Sequence, residues 1–382
     1  MKVIIVGAGI YGLSTAVQLV LRGHEVEIID RGAIPNALAS SFDYHRLIRH
    51  AYGPQTGYAS LIPDSFKAWE RLWQLLGESF YIETGALALG KKNDPWISLS
   101  RSSLVKMQID CEDWNADQAG VRVPWLRVGS NEDLLFCASG GILRSSLLLL
   151  AMSDFLRSKG VIFHENVTID QMDASDGLVV DQSKNRYGGD HVVSALGAGH
   201  GILFRGEIRP FRQVYALYEG VGGLATVESG CPMILDISEG AGFYYVPGSK
   251  HFPAKIGDHI SRLEGLPYGS RKVQEEEISH LLGVIHSRVG RPEGPSNRDN
   301  GASFVASEPT LGKPSSYGLC FYESTADHVI QLQTSGRCTR VFGGSGHGFK
   351  FGALFGESIA EFISGDRSFG SAQKVVQGQG MP

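Results

Sequence analysis

The first thirty residues alternate between apolar and glycine-rich stretches in an order that predicts a strand, a helix and a second strand. Residues 2–6 form a short apolar run rich in β-branched side chains, which is typical of a buried parallel strand. The next segment carries the three glycines of a GxGxxG motif, Gly7, Gly9 and Gly12. Residues 10–21 then predict a helix, and a second apolar run over 25–29 ends at Asp30. The unit has the length expected of a dinucleotide-binding βαβ unit.

Each residue type in this unit suits the binding of a dinucleotide. Gly7 permits a sharp turn after the strand, and Gly9 lets the backbone approach a pyrophosphate. Gly12 allows the helix to pack closely on the strand. The helix N-terminus offers free N–H groups to the anion, and Asp30, eighteen residues after Gly12, is placed for a ribose hydroxyl. The unit therefore predicts a nucleotide cofactor.

The motif by itself is compatible with NAD and with FAD. No second GxGxxG follows a strand; the segment from Gly197 to Gly199 comes near, but Ile202 stands at the third glycine position. Asp30 would repel the 2′-phosphate of NADP, although Arg31 beside it weakens that argument. We therefore expect one dinucleotide rather than two.

The middle of the chain predicts a return to the same kind of unit. Apolar residues on one face predict a helix with Ser65 as its N-cap, and alternation predicts a strand over 83–89. Residues 91–135 are polar and irregular. A helix over 143–156, followed by a buried strand over 161–163, then predicts a second βαβ-like return.

The pattern changes after a strand at 191–199 that runs into small residues, which would let the backbone pass close to a nucleotide. From 206 to about 300 the chain predicts alternating strands, such as 213–218 and 242–246. One helix with an apolar face over 278–285 interrupts them. This second pattern indicates an antiparallel sheet inserted into the nucleotide domain.

The predicted fold class is therefore α/β, with a Rossmann-type domain and an inserted α+β domain built on an antiparallel sheet. The Rossmann-type domain is discontinuous. We expect it to comprise residues 1–85, 140–205 and 310–382, and the inserted domain to comprise residues 86–139 and 206–309.

Composition and charge narrow the function classes. At about 150 residues per domain, 382 residues predict two to three domains, and 42% hydrophobic with 20% charged residues is typical of a globular protein. The net charge of −5 argues against a nucleic-acid surface. Glycines interrupt the apolar N-terminal run, so we expect neither a signal peptide nor a membrane anchor.

The cysteines are dispersed along the chain. They are Cys111, Cys137, Cys231, Cys320 and Cys338. No pair has CxxC spacing, so zinc ribbons and thioredoxin-type redox motifs are excluded, and no metal site is predicted. An odd, dispersed set indicates reduced thiols and a cytoplasmic location.

A glycine-rich segment over 343–350 precedes the last predicted helix, which covers 352–363. It is not a GxSxG nucleophile elbow, because the residue two after Ser345 is His347. It delivers backbone amides to a helix N-terminus, which predicts a second site for negative charge. A reduced flavin carries such a charge on its pyrimidine ring, so this helix end would suit it.

Six segments, in order along nearly the whole chain, resemble the monomeric sarcosine oxidase family within the D-amino-acid-oxidase-like flavoproteins. They are the GxGxxG unit and residues 40–53, 209–214, 243–259, 320–322 and 346–351. The arginine-containing segment 40–53, the Lys-x-Gly-x-His run at 255–259 and the Cys-x-Tyr at 320–322 are specific to this branch. The GxGxxG motif is not.

The resemblance implies FAD as the cofactor and suggests individual roles. Cys320 matches the cysteine that attaches the flavin through a thioether. Lys255 matches the lysine that activates O₂, since a fixed cation stabilises the superoxide anion formed by the first electron transfer. Arg49 and Lys350 match the pair that binds the substrate carboxylate, and Arg46 matches an arginine near the flavin.

The candidate sites form two sets. The expected catalytic residues are Lys255, Arg49, Lys350, His259, Tyr244 and Tyr322. The expected cofactor-binding residues are Gly7, Gly9, Ile10, Tyr11, Gly12, Asp30, Arg31, Ser40, Arg46, Val167, Ala195, Gly197, Cys320, Gly344, Gly346, His347, Gly348 and Lys350.

Four positions depart from the family pattern. Phe42 stands where the sarcosine enzymes carry a histidine, and His45 where they carry a threonine. Tyr245 replaces a glycine, and the acidic Glu323 stands where a small polar residue is usual. These changes touch the pocket and the flavin surroundings, so they bear on the substrate more than on the chemistry.

The resemblance implies a two-domain FAD oxidase that oxidises the C–N bond of an amine bearing a carboxylate. Candidate substrates are sarcosine, other N-alkyl amino acids, glycine-like amines and cyclic imino acids; the products are an imine and hydrogen peroxide. The alternatives are a dehydrogenase that passes electrons to a quinone or protein, a non-catalytic flavin-binding subunit and an NAD(P) dehydrogenase. Partners are expected to be a small molecule and O₂, without nucleic acid or membrane, in a monomer or small homo-oligomer.

Overall fold

Two large sheets organise the chain, as a computed structural model shows. The expected boundary at 309/310 between the inserted and nucleotide domains lies outside the residues that the structure describes. Those residues are 1–220, 224–238, 242–260, 263–290 and 312–379.

The helices and strands are numbered in chain order. The α-helices are α1 (Ile10–Leu21), α2 (Thr56–Leu76), α3 (Pro95–Lys106), α4 (Ala116–Arg122), α5 (Ser145–Ser158), α6 (His200–Leu203), α7 (Glu275–Arg288), α8 (Gly352–Ser364) and α9 (Phe369–Val376). The strands of the first half are β1 (Lys2–Val6), β2 (Glu25–Ile29), β3 (Arg46–Arg49), β4 (Tyr81–Glu83), β5 (Ala86–Lys91), β6 (Glu112–Trp114), β7 (Glu132–Cys137), β8 (Gly140–Leu143), β9 (Ile162–His164), β10 (Ile169–Asp173), β11 (Leu178–Asp181), β12 (Arg186–Gly188) and β13 (His191–Ser194). The strands of the second half are β14 (Arg209–Tyr218), β15 (Met233–Asp236), β16 (Phe243–Val246), β17 (Ala254–Asp258), β18 (Leu263–Glu264), β19 (Ser316–Ser324), β20 (Gln331–Ser335) and β21 (Cys338–Phe342).

The first large sheet has the strand order β20-β21-β13-β1-β2-β9. Its pairs are parallel except for β20, which runs antiparallel to β21. Helices α1, α5 and α8 pack together on this sheet and share its apolar core. The predicted strand–helix–strand unit is therefore confirmed, and the ends of β1 and β2 meet at the first turn of α1, where a nucleotide binds in folds of this type.

The second large sheet has the order β18-β14-β17-β16-β15-β5-β7-β6, with β19 also paired to β14. It was expected to be antiparallel, but it is mixed, because β5 and β15 run parallel to each other. These two strands are far apart in sequence, so no local signal reveals their relative direction. Strand β19 lies within the range 310–382 that was assigned to the nucleotide domain, yet it pairs along its whole length with β14.

Some elements differ from the sequence expectation. Helix α2 begins at Thr56, and Ser65 is a buried residue inside it rather than its N-cap. The Ser65 hydroxyl donates a hydrogen bond to the backbone oxygen of Lys350 and so ties α2 to the segment before α8. The segment 91–135 was expected to be irregular, but it contains α3, α4 and two strands. The sequence did not reveal its helices because they carry few apolar residues.

A small antiparallel sheet pairs β3 with β8 and β8 with β4. It carries Arg46 and Arg49 at the two ends of β3. The candidate site residues gather here, where β3, β14, β16, β17, β19 and the glycine-rich segment before α8 meet. Among the described helices, none is both long and apolar enough to cross a membrane.

Candidate active site

A cavity of about 590 Å³ opens at the ends of β1 and β2. Fourteen of the expected cofactor-binding residues line it: Gly7, Gly9, Ile10, Tyr11, Asp30, Arg31, Ser40, Arg46, Val167, Gly197, Cys320, Gly344, Gly346 and Gly348. The other four lie elsewhere. Gly12 and Ala195 line neither this cavity nor the second one, and His347 and Lys350 line the second cavity.

The glycine turn is open on the side that faces the cavity and tightly packed on the opposite side. A Cβ on Gly12 would lie 1.9 Å from the oxygen of Gly7, and a Cβ on Gly7 would lie 2.2 Å from the oxygen of Ala195. Gly12 and Ala195 therefore pack directly against the backbone of the turn. Gly9 faces the cavity, and its missing Cβ has only the hydroxyl of Ser41 within 4 Å, at 3.2 Å. Ser41, which the sequence did not single out, also accepts a hydrogen bond from the amide of Ile10 at 3.0 Å.

Asp30 both lines the cavity and holds the turn in place. Its carboxylate accepts hydrogen bonds from the amide of Ala8 at 2.8 Å and from the side chain of Asn36 at 2.8 Å. Next to it, the guanidinium of Arg31 lies over the ring of Tyr268. Tyr268 was not predicted, and it closes this end of the cavity.

A second cavity of about 420 Å³ adjoins the first. The two share five wall residues: Arg46, Cys320, Tyr322, Gly346 and Phe349. All six expected catalytic residues line this second cavity: Lys255, Arg49, Lys350, His259, Tyr244 and Tyr322. Strands β3, β16, β17 and β19 and the segment before α8 each contribute, so the cavity depends on residues from the whole length of the chain.

One end of the second cavity carries two cations. Lys350 is buried, and its ammonium donates to the backbone oxygen of His347 at 2.9 Å. The guanidinium of Arg49 lies 4.7 Å from the ring of Tyr52 and 5.5 Å from that of Trp96, and its buried Nη1 has no hydrogen-bond partner. No described carboxylate forms an ion pair with either cation. Burial lowers the pKa of both groups, and the Arg49 guanidinium lowers the pKa of Lys350 further.

The other cation, Lys255, has a fixed partner. Its ammonium forms an ion pair with the buried carboxylate of Asp43, and Arg46 pairs with the same oxygen. Burial lowers the pKa of Lys255, while the Asp43 carboxylate opposes that effect. The two cations hold the pKa of Asp43 far below its usual range. Sequence reasoning missed Asp43, whose only signal was an acid inside the arginine-containing segment 40–53.

His259 is a neutral hydrogen-bonding group on the wall of the second cavity. Its Nδ1 lies 2.8 Å from the backbone oxygen of Gly242, so Nδ1 carries the proton and Nε2 is left as an acceptor. Burial lowers its pKa, which keeps the ring uncharged. Burial raises the pKa of Tyr244 and Tyr322, so both phenols stay protonated.

Two further groups lie at or near the wall that the cavities share. Cys320 is half-buried, and its Sγ lies 3.8 Å from the guanidinium of Arg46. Glu323 is buried in the first cavity, where it accepts a hydrogen bond from the amide of Gly344 at 3.1 Å. Burial raises the pKa of Glu323 to about 7, and it forms no ion pair with a described residue. The buried hydroxyl of Tyr11, also in this cavity, has no hydrogen-bond partner.

The two adjoining cavities fit FAD. The glycine turn leaves space for a pyrophosphate, and the unpartnered Tyr11 hydroxyl offers a hydrogen bond within the same cavity. The shared wall at Cys320 and Tyr322 gives a flavin access to both the nucleotide site and the second cavity.

Comparison with known proteins agrees with this geometry. The chain is 25% identical over 371 residues to N-methyl-L-tryptophan oxidase from Citrobacter koseri, covering 95% of this chain and 94% of that protein. It is 23% identical to monomeric sarcosine oxidase from Bacillus sp. (strain B-0618), covering 94% and 91%.

Solved structures share the fold. The Tyr258Phe mutant of NikD, an unusual amino acid oxidase essential for nikkomycin biosynthesis, aligns with a TM-score of 0.81 at 18% identity, covering 96% of this chain and 94% of that one. L-proline dehydrogenase from P. horikoshii aligns with a TM-score of 0.78 at 16% identity, with the same coverage. The sequence pattern of the DAO family, described as FAD dependent oxidoreductase, matches residues 2–362. The chain therefore belongs to the DAO family of FAD-dependent oxidoreductases.

Proposed function

We propose that this enzyme is an oxidase that acts on the C–N bond of an amino acid carrying a secondary amine. The observation that carries the proposal is the pair Arg49 and Lys350, two cations without a carboxylate partner among the described residues, in a cavity next to the nucleotide cavity. A buried, uncompensated positive charge is costly, so this end of the cavity favours an anionic ligand. A fork-shaped guanidinium and a point ammonium together suit a carboxylate.

The first cavity and the shared wall are proposed to hold FAD. Bound FAD would supply the redox chemistry by taking a hydride equivalent from the carbon next to the amine nitrogen. Cys320 is proposed as the covalent anchor, because its half-buried thiol lies on the wall that both cavities share. The amides of Gly344 and Ser345 already donate to Glu323, and those of His347 and Gly348 donate to the Gly344 oxygen. The negative charge that reduction creates would therefore meet the remaining amides of this segment.

The residues of the second cavity are proposed to position the substrate. Arg49 and Lys350 hold the carboxylate at one end. The Nε2 atom of His259 can accept a hydrogen bond from the substrate N–H. Tyr244 and Tyr322 remain protonated and supply hydroxyl donors. No dedicated base is needed when the amine binds neutral, because oxidation then moves a hydride equivalent from carbon.

The electrons are proposed to pass to O₂. The amine loses two electrons and two protons to become an imine, O₂ gains them to become hydrogen peroxide, and water then hydrolyses the imine. Lys255 lies on the cavity wall and supplies a cation for the anionic stage of oxygen reduction. The relatives named for N-methyl-L-tryptophan and sarcosine both act on N-methyl amino acids, which supports the same substrate class here.

A dehydrogenase that passes electrons to a quinone or a protein is the second candidate. The observation that favours it is Asp43, whose carboxylate offsets the charge of Lys255. Such an enzyme would be reduced by the same amino acids but reoxidised slowly by O₂.

Rapid mixing tests the proposal in two steps. Anaerobic mixing with sarcosine, N-methyl-L-tryptophan, L-proline and glycine should bleach the yellow flavin absorbance with at least one of them. Mixing the reduced enzyme with O₂ should then restore the colour within the time of a turnover. No bleaching by any amino acid would overturn the proposal, and bleaching with slow reoxidation would favour the dehydrogenase.

The covalent link is tested separately by acid precipitation. Yellow colour that stays with the precipitated protein, and is released in the Cys320→Ser variant, is the expected result. Colour released from the wild-type protein would remove the anchoring role of Cys320 and leave the rest of the proposal intact.

A further inference from the structure

Asp43 lies behind the wall of the second cavity and contacts two of its cations. The Oδ2 atom of its carboxylate accepts hydrogen bonds from Lys255 and Arg46, while Oδ1 accepts one from the amide of Tyr44 at 2.7 Å. Only 2% of the Asp43 side chain is exposed, and it lines neither cavity. It therefore acts on a ligand only through the cations that it holds.

The backbone of Asp43 is anchored as firmly as its side chain. Its carbonyl oxygen accepts hydrogen bonds from the hydroxyl of Ser145 at 2.7 Å and from the amide of Ser146 at 2.9 Å. Both donors lie in the first turn of α5, where amides lack partners within the helix. The carboxylate is thus fixed against the nucleotide domain, while Lys255 comes from β17 of the other large sheet.

Among the described groups around Lys255, Asp43 supplies the negative charge. Facing it from the packed elements are Asp43, His45 and Arg46, Tyr215 of β14, Tyr244 of β16 and Cys320 of β19. Burial lowers the pKa of His45 to about 4, so that ring is neutral. Tyr215 presents its ring, 4.3 Å from the ammonium, and burial raises the pKa of its phenol. Asp43 is the carboxylate that forms an ion pair with Lys255 among the described residues.

We propose that Asp43 is a positioning residue that keeps Lys255 charged and fixed beside the junction of the two cavities. The inference rests on the proposed function, in which Lys255 promotes the reduction of O₂ to hydrogen peroxide by two electrons from the reduced cofactor and two protons. Asp43 then sets the pH range over which that cation is present.

Removal of the Asp43 charge has a predictable consequence. Lys255 would keep its burial and its cationic neighbour Arg46 but lose the negative charge that opposes them. An opposite charge at contact distance typically shifts a pKa by about one to three units. Because a guanidinium does not release its proton in a protein, Lys255 is the group that would become neutral.

The direct test follows the titration of Lys255 by NMR in protein labelled with ¹³C at the lysine Cε. The Lys255→Met variant identifies the Lys255 signal by its loss. In Asp43→Asn, which keeps the side-chain volume, we expect the Lys255 midpoint to fall by about one to three pH units, or tenfold per unit in proton affinity. If the asparagine variant does not fold, the Lys255 midpoint is measured in Asp43→Ser, where the same shift is expected. An unchanged midpoint in the folded variants would overturn the proposal and leave Asp43 a merely structural role.

The matched control is Asp181→Asn. Asp181 is also a buried, hydrogen-bonded aspartate, but it lies in the separate sheet of β10, β11 and β12. Its replacement should leave the Lys255 midpoint where it is. A shift of equal size in this control would overturn the assignment to Asp43, since loss of any buried carboxylate would then have the same effect.

A second readout separates this inference from the proposed function. Enzyme reduced with dithionite is mixed with O₂ over a pH series in wild type, Asp43→Asn and Lys255→Met. We expect the rate in Asp43→Asn to decline at lower pH than in wild type, by the shift seen in the NMR titration. If the NMR midpoint moves while Lys255→Met reoxidises like wild type, the positioning role of Asp43 stands and the oxygen role of Lys255 is overturned.

Discussion

The basic side chains at the two ends of the second cavity differ in whether a carboxylate neutralises their charge. At one end Lys255 and Arg46 share the buried carboxylate of Asp43. At the other end Arg49 and Lys350 have no carboxylate partner among the described residues. A compensated cation is part of the protein's own structure, whereas an uncompensated one gains its counter-charge from a ligand. The contrast supports the proposal that the anionic group of the substrate binds at the Arg49 end.

The largest expected effect concerns stability at the compensated end. Asp43→Asn removes the shared counter-charge of Lys255 and Arg46, so the free energy of unfolding should fall by about 3 to 5 kcal/mol. Lys350→Met removes a buried basic group that has no carboxylate partner among the described residues, so its unfolding free energy should stay within about 1 kcal/mol of wild type or rise. Urea denaturation of the ligand-free protein measures both. Equal losses in the two variants would break the comparison.

The next effect concerns binding at the uncompensated end. Arg49→Met should weaken the binding of an amino-acid substrate by about 30-fold or more, because truncating one partner of a buried charge pair costs about 2 to 5 kcal/mol. Arg49→Lys keeps the charge but loses the fork, so a smaller loss is expected. The dependence of anaerobic flavin bleaching on substrate concentration gives both values. An unchanged value in Arg49→Met would place the carboxylate elsewhere.

The smallest expected effect concerns Glu323, a buried acid that, unlike Asp43, forms no ion pair with a described residue. The pKa of Glu323 is raised to about 7, so its ionised form is disfavoured in the folded protein. The loss of folding free energy from ionising Glu323 is absent well below pH 4.5, grows as the pH rises towards 7 and is complete above it, at no more than about 3.4 kcal/mol.

Glu323→Gln should remove this pH dependence. The variant should match wild type near pH 5 and be more stable than wild type near pH 8.5, as measured by denaturation at the two values. A variant less stable than wild type at pH 8.5 would show that the ionised carboxylate has a stabilising partner.

The sequence predicted the parts of the fold that are local. The GxGxxG unit, its flanking strands and α1 follow from apolar runs and glycine spacing within thirty residues. The parallel pairing of β5 with β15 and the addition of β19 to β14 join segments distant in the chain, so no periodicity contains them. Helix α3 was missed because only one of its faces is partly apolar and Ser, Arg and Lys interrupt it.

The site shows the same division. The GxGxxG pattern singled out Gly7 and Gly9, which line the first cavity. The family resemblance singled out Arg49 and Lys350, which line the second. Neither could show that Lys255 pairs with Asp43, because 212 residues separate them and the contact joins β17 to the loop before β3. Departures from the family pattern, such as Glu323, were the only sequence signals that the pocket differs from that of the sarcosine enzymes.

The most direct test of the central claim compares an amino acid with its own amide. Anaerobic enzyme is mixed with the best N-methyl amino acid and with the matching carboxamide, which keeps the amine and side chain but lacks the negative charge. We predict that the acid bleaches the flavin and that the carboxamide requires at least about 30-fold higher concentration, from the loss of a buried charge pair. Equal bleaching by both compounds would contradict the assignment of Arg49 and Lys350 as the carboxylate site.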